Sequence, residues 1–438
     1  MTVGALIIAA PRSGAGKTTI TLGLISTLRR RSLDVRAAKT GPDYIDPAFH
    51  AVATSHPCFN IDSWAMPPKL IAQLLTHGAG DADIMIIEGA MGLFDGVVAA
   101  PGRTGRAADI AARFRLPVVL VLDVSGQAQT AAAIVSGLAR HARNVRIAGV
   151  ILNRVGSERH RNIVSQAISA IGIPVFGGVP RNADLALPER HLGLIQANEH
   201  SNLHEYLNKL ADTIETHIDV DAITRVVAPL PDNRPQRPVS LRPPGQYIAL
   251  ARDAAFTFIY PHLLESWREA GAVIRPFSPL ADDGPPEGCD ICWLPGGYPE
   301  LHAGTLATAT NFRAQLHRFA QTCPVYGECG GYMVLGEAIE DAQGQRHQML
   351  GLLGHTTSFA KRRLTLGYRR ATLLQQSVLG PPGSIVTGHE FHYTTVCDGG
   401  SDPPLATFAD SHGNPPTVAG GVRGRVSGSF FHVLCPAT

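Results

Sequence analysis

Short runs of apolar residues, each closed by a polar residue or a glycine, recur along the first third of the chain. Residues 5–10, 35–39, 84–88, 118–123 and 147–153 are such runs. Continuous apolar runs of this length are the pattern of strands buried on both faces. Between several of them apolar residues fall at helical spacing. Ile20, Leu24, Ile25 and Leu28 share one face, and Arg29, Arg30 and Arg31 follow where cations complement a helix C-terminus. Strand–helix alternation of this kind predicts a parallel α/β sheet covered on both faces, with ligands at the carboxyl ends of its strands.

The alternation breaks at residues 229–245, where six prolines fall in seventeen positions. Neither a helix interior nor a central strand tolerates that density, so the segment reads as a semi-rigid linker. Beyond it the pattern restarts, with strands at 247–251, 273–277, 291–294 and 325–326 and a helix over 256–270. The chain is thus expected to carry two α/β domains, 1–228 and 246–438. Residues 3–10 have no basic leader and run into a glycine-rich turn, which reads as a first strand rather than a signal peptide.

Composition narrows the class. The chain has 438 residues, of which 45% are hydrophobic, and 38 basic against 36 acidic side chains leave a formal net charge of +2. That balance argues against a nucleic-acid partner, which calls for a basic stripe. No apolar stretch is long enough to span a membrane. Seven scattered cysteines are not a disulfide framework, so a soluble, reduced, cytoplasmic protein is expected.

The turn after the first strand reads Ser13-Gly14-Ala15-Gly16-Lys17-Thr18-Thr19 and opens a helical pattern. Backbone N–H groups of such a turn wrap phosphate oxygens at a helix N-terminus. Lys17 would reach the β- and γ-phosphates and the Thr18 hydroxyl would join a Mg²⁺ shell. The frame departs from the usual phosphate loop in having Pro11 at its first position. Magnesium needs carboxylates nearby. Glu88 ends one strand, and Asp43 and Asp46 lie in the loop that follows Lys39. Lys39 can hold a phosphate or a substrate carboxylate, and Asp43 and Asp46 can bind metal or position substrate. Asn153, ending the fifth run, can pair with an adenine edge.

A second constellation lies beyond the prolines. Val325-Tyr326-Gly327-Glu328-Cys329-Gly330-Gly331 is a strand running into a glycine-flanked cysteine and then a helix, the form of a nucleophile elbow. A helix N-terminus there would lower the thiol pKa. His432 offers a base, and Gly296 and Gly297, in a turn after another strand, offer oxyanion donors. The pair Cys289 and Cys292 has no second pair at zinc spacing and reads as buried strand. His389 and His392 do not form a zinc-helix motif.

Nucleotide site and cysteine–histidine site together point to ATP-driven amidation fed by glutamine. Several segments then carry a specific resemblance: Ser13–Thr19, Lys39-Thr-Gly-Pro-Asp-Tyr-Ile-Asp-Pro47, Glu88-Gly-Ala-Met-Gly-Leu-Phe-Asp-Gly96, Leu294-Pro-Gly-Gly-Tyr-Pro-Glu300, Gly327-Glu-Cys-Gly-Gly-Tyr332 and Gly388-His-Glu-Phe-His-Tyr393. In that order they resemble the a,c-diamide synthases of cobalamin biosynthesis, over essentially the whole chain. The resemblance implies a dethiobiotin-synthetase-like ATPase domain followed by a class I glutamine amidotransferase-like α/β domain. It implies Cys329 and His432 as catalytic, with Gly330 joining the two glycines that receive glutamine. Thr18, Glu88 and Asp46 would hold Mg²⁺ with ATP, and Lys39, Asp43, Tyr44 and Asp95 would meet the substrate. No tightly bound organic cofactor is implied. The partners are small molecules (a corrin polycarboxylate, L-glutamine and ATP), and a monomer and a homodimer both stay open.

Two departures stand out. Class I amidotransferases usually carry a glutamate two residues after the histidine, where this chain has Leu434; the corrin-amidating branch similarly lacks it. Arg12 stands where relatives with a deviant phosphate loop have a signature lysine. Other readings remain: a related tetrapyrrole as substrate, a cobyric acid synthase-like activity, or a P-loop regulatory ATPase with an inactive second domain.

Overall fold

Buried apolar runs need backbone partners on both sides, and the first unit supplies them with one sheet. Its strands are β1 (Gly4–Ala9), β2 (Val35–Thr40), β3 (Phe59–Ile61), β4 (Ile84–Glu88), β5 (Val118–Asp123), β6 (Ile147–Val155) and β7 (Val175–Pro180). They lie in the order β3-β2-β4-β1-β5-β6-β7, and every neighbouring pair is parallel. Leu6, Ile7 and Ile8 of β1 are fully buried, as a central strand requires. The chain runs outward from β1 to β2 and β3, then returns through β4 and crosses to β5. Such a reversal of strand order opens a crevice at the carboxyl ends. Two helices bear on that crevice, α1 (Lys17–Arg30) and α2 (Ile45–Thr54).

This structure, a computed structural model, describes residues 3–185, 189–190, 193–194, 196–200, 202–230 and 241–437. The chain divides into two compact units, Met1–Pro238 and Val239–Thr438. The arginine run at the end of α1 pairs with acids on the C-terminal helices of its own unit. Arg30 meets Asp212 at 2.6 Å, and Arg31 meets Glu215 and Asp221, each at 2.6 Å. The helix Leu203–His217 packs so close to α1 that a Cβ at Gly23 would come within 2.6 Å of Ile214.

The proline-rich stretch is not all linker. Ala228–Pro229 forms a short strand antiparallel to β1, pairing Gly4 with Pro229 and Ala5 with Ala228. Leu230 and Leu241 are buried, and the Leu241 carbonyl accepts from Trp267 Nε1 at 3.1 Å. Residues 231–240 of the expected linker lie outside the described residues.

In the second unit the strands Val273–Phe277, Tyr247–Ala251, Ile291–Leu294, Val325–Glu328 and Val426–Ser429 form a parallel sheet in that spatial order, with Gly421–Arg423 antiparallel at its edge. The helix expected over 256–270 is only Pro261–Glu269. Pro261 fits the first helical position, where no N–H is needed, and Phe258 instead donates its N–H to the Gly296 carbonyl at 2.9 Å. A separate antiparallel sheet contains Thr365–Leu373, Ile385–His392 and Phe431–Pro436. Its pairing sets His389 directly opposite His432.

Candidate active sites

The turn between β1 and α1 is bent by glycines where the backbone demands them. Gly14 has φ +70° and Gly16 has φ +90°, both in the region that glycine tolerates best. Asn153, at the end of β6, braces this turn. Its Nδ2 donates to the Ala15 carbonyl at 2.9 Å, while its Oδ1 accepts from the Arg154 N–H at 2.9 Å. Each end of the amide makes one local bond beside the phosphate loop. Ser13 is exposed, and its carbonyl accepts from Arg12. Thr19 lies near Tyr206 of the helix Leu203–His217, whose hydroxyl donates to the Leu185 carbonyl at 2.9 Å. Arg12 is pinned by Asp123 at 2.8 Å, and Arg154 reaches the same Asp123 oxygen at 2.7 Å.

Lys17 begins α1 and is buried, its Nζ near the Arg12 carbonyl at 3.5 Å. Burial pulls its pKa down, with Glu88 opposing. Thr18 Oγ1 donates to Glu88 Oε1 at 2.8 Å and also lies 3.2 Å from Asp46 Oδ2. Lys39 lies one residue before the end of β2, in register with Glu88 at the end of β4. Its ammonium contacts Asp46 Oδ2 at 2.5 Å and Glu88 Oε1 at 2.9 Å, with Asp43 Oδ2 at 3.6 Å. Asp43 accepts the Ile45 N–H at 2.8 Å, fixing the start of α2, and Asn60 on β3 holds the Gly41 and Asp43 carbonyls. That pinning explains why Asp46 faces the phosphate loop. Tyr44 caps α2, half-buried. Asp95 folds onto the Gly92 N–H at 2.9 Å, close enough to raise the Lys17 pKa.

The charges here are strongly coupled. Burial opposes the Glu88 carboxylate, but Lys39 and His50 outweigh it and hold Glu88 ionised, below its usual range. Asp46 is lifted to about 7 by burial and by Asp43, against Lys39. Thr18 Oγ1, Asp46 Oδ2 and Glu88 Oε1 form a set of hard oxygen donors, and the Lys39 ammonium already rests against the two carboxylates. Such a set fits Mg²⁺. The sequence reading missed His50, which is fully buried with Nε2 2.7 Å from Glu88 Oε2. The usable signal was its position four residues after Asp46, on the same face of α2.

In the second unit, Cys329 sits between the strand Val325–Glu328 and the helix Gly330–Leu335. Its φ is +46° and its ψ −103°, a strained conformation for a residue with a Cβ. Glycines make the bend possible. A Cβ at Gly331 would lie 2.0 Å from the Leu294 carbonyl, and one at Gly330 would lie 3.0 Å from the Gly297 nitrogen. A Cβ at Gly296 would strike His432 Cε1 at 2.5 Å and approach Cys329 Cβ at 3.3 Å. The structure thus brings Cys329, His432, Gly296, Gly297 and Gly330 to one place.

The expected low thiol pKa is not found. Burial raises it, and Glu300 adds to the effect, while the Gly330 N–H opposes. Burial, with His389 and His392, holds the His432 pKa well below its ordinary value. Burial thus favours the neutral form of both groups. His389 lies 5.4 Å from His432 ring to ring, and His392 stacks on Phe430 at 4.1 Å. Glu328, just before the nucleophile, accepts the Val433 N–H at 3.1 Å. All seven cysteines are unbridged, and Cys289 and Cys292 are buried.

Comparison with known proteins covers both units. Residues 6–195 match the CobQ/CobB/MinD/ParA nucleotide binding domain family, and residues 247–438 match the CobB/CobQ-like glutamine amidotransferase domain family. A hydrogenobyrinate a,c-diamide synthase of Mesorhizobium japonicum is 57% identical over 438 residues, all of both chains. Proteins of the same name from Agrobacterium fabrum and Rhodobacter capsulatus are 56% and 53% identical, over 99% and 98% of each chain. Among the described residues no helix is long and apolar enough to cross a membrane.

Proposed function

The chain belongs to the family of hydrogenobyrinate a,c-diamide synthases, and we propose from that premise that it amidates the a and c acetate side chains of hydrogenobyrinic acid, using ATP and glutamine. The observation that carries the reading is that each unit holds its own set of reactive groups. One is a phosphate loop facing carboxylates, the other a strained cysteine beside a histidine. The cobalt-free macrocycle is preferred over cobyrinic acid because the relatives at 49–57% identity are named for it. The enzyme is placed in the cytoplasm, with small molecules as its partners.

In the second unit Cys329 Sγ attacks the glutamine side-chain amide and His432, held neutral, takes the thiol proton. The N–H groups of Gly297 and Gly330 receive the oxyanion. His432 returns the proton to the departing ammonia, leaving a thioester that water hydrolyses to glutamate and free thiol. In the first unit an acetate oxygen displaces ADP from the γ-phosphorus, giving an acyl phosphate. Ammonia then adds to that carbonyl and phosphate leaves, forming a primary amide; repetition on the second arm gives the diamide. The activation is needed because a carboxylate oxygen is not a leaving group at neutral pH.

Lys17 and the backbone N–H groups of 13–18 bind the phosphates, while Lys39 turns from its carboxylates toward the acetate or the γ-phosphate. Thr18, Asp46 and Glu88 would hold Mg²⁺, which supplies charge neutralisation for the transferring phosphoryl group. Asp43, Tyr44 and Asp95 border the acceptor.

Cys329→Ser tests the division of labour. Glutamine-dependent diamide formation should collapse, because a hydroxyl lacks a base strong enough to activate it. Ammonium salt at a pH giving free ammonia should restore it, still requiring Mg·ATP, as read by mass spectrometry on hydrogenobyrinic and cobyrinic acids. A folded variant that binds ATP but is dead with ammonia too would refute two separate sites.

A further inference from the structure

Helix α2 brings two side chains to Glu88, not one. Asp46 and His50 are four residues apart and so lie on the same face. Asp46 meets Thr18 and Lys39, the partners of the Glu88 carboxylate, and His50 meets the carboxylate itself. Oε1 of Glu88 receives Thr18 and Lys39 at 2.8 and 2.9 Å, whereas Oε2 has His50 Nε2 at 2.7 Å. His50 and Glu88 are both completely buried. The amidation chemistry leaves this histidine without a task. A carboxylate that must present one oxygen to a cation can rotate about its last side-chain bond, and a donor on the other oxygen stops that rotation. Outer partners of metal-binding groups commonly act in this way.

We propose that His50 is a positioning residue for the nucleotide–metal site: its Nε2 holds Oε2 of Glu88, so that Oε1 is presented beside Thr18 Oγ1 to the cation. The inference rests on the reading of Glu88 as a Mg²⁺ ligand. It also accounts for the depth of the ring. An exposed imidazole would compete with water for Oε2, whereas the buried ring keeps its 2.7 Å contact without that competition.

The test measures binding rather than turnover. Mn²⁺ is titrated into the full chain with a non-hydrolysable ATP analogue, and free Mn²⁺ is followed by electron paramagnetic resonance. His50→Ala should weaken Mn²⁺ binding by about 10–100-fold, the usual consequence of losing such a partner. His50→Gln, whose amide nitrogen reaches the place of Nε2, should keep near the unsubstituted affinity. His50→Asn, whose amide nitrogen overlays Nδ1 instead, should fall with the alanine variant. Circular dichroism melting identifies any variant that fails to fold; if alanine does, the glutamine–asparagine difference decides. Equal affinity for the glutamine and asparagine variants, or an unweakened alanine variant, overturns the proposal. Glu88→Gln separates the two layers. If it binds Mn²⁺ normally, the ligand reading of Glu88 has failed; if it is weakened while His50→Ala is not, only the role of His50 has.

Discussion

Cys329 is held at φ +46° and ψ −103°, and a residue with a Cβ in such a region costs about 1–3 kcal/mol. Glycine bears no such penalty. Replacing alanine by glycine at an ordinary buried site loses one methyl group, about 0.8 kcal/mol of burial. It also adds unfolded-state freedom worth about 0.4–1 kcal/mol. The ordinary cost is therefore about 1–2 kcal/mol, which the middle of the strain range, about 2 kcal/mol, offsets. Cys329→Gly should be as stable as Cys329→Ala, or more so. Two of the three tryptophans, Trp267 and Trp293, lie in this unit with ring centroids 5.1 Å apart, so denaturant unfolding of the full chain can be followed by fluorescence. Both variants should fail with glutamine and form diamide with ammonia. A glycine variant weaker than the alanine variant by the full ordinary amount would show that the elbow stores no strain.

Lys17→Ala should abolish amidation with glutamine and with ammonia alike, since it serves the phosphoryl step; retained ammonia-dependent turnover would remove Lys17 from that step. Glu328 is raised by burial from 4.5 to about 8, so the folded chain keeps a proton that the unfolded chain has lost. Its contribution is present below about pH 4.5 and is lost as pH rises towards 8. Glu328→Gln, which keeps an oxygen for the Val433 N–H, should flatten stability between those limits in melts across pH, and an unchanged slope would contradict the assignment.

The parallel strands were legible because burial on both faces writes itself as uninterrupted apolar residues. Ile84–Glu88 and Val118–Asp123 have the bounds their apolar runs imply. Two parallel strands of the same sheet escaped: Phe59–Ile61 has three residues, and Val175–Pro180 carries two glycines. Thr365–Leu373 was hidden for another reason. It is partly exposed along most of its length and mixes glycine and arginine with apolar residues, so neither strand period survives. At the sites, spacing exposed what a turn must contain, such as Gly16 before Lys17 and Gly330 after Cys329. It could not reveal that Asn153 braces a loop 138 residues earlier. Nor could it show that burial would raise a thiol pKa that a helix terminus alone would lower.

The pairing of Ala228–Pro229 with the start of β1 bears on how the chain is made. Leu230 donates its N–H to the Val3 carbonyl at 2.9 Å, continuing the contact past a proline that has no N–H to give. The segment that completes the central strand is thus among the last of its unit to leave the ribosome. At ordinary elongation speeds β1 waits on the order of tens of seconds for it. During that interval the nascent sheet carries an unpaired stretch at its middle, a place where another chain's backbone could bind. Release of the nucleotide-binding half from that hazard comes only when residue 230 emerges, with synthesis of the amidotransferase half already under way.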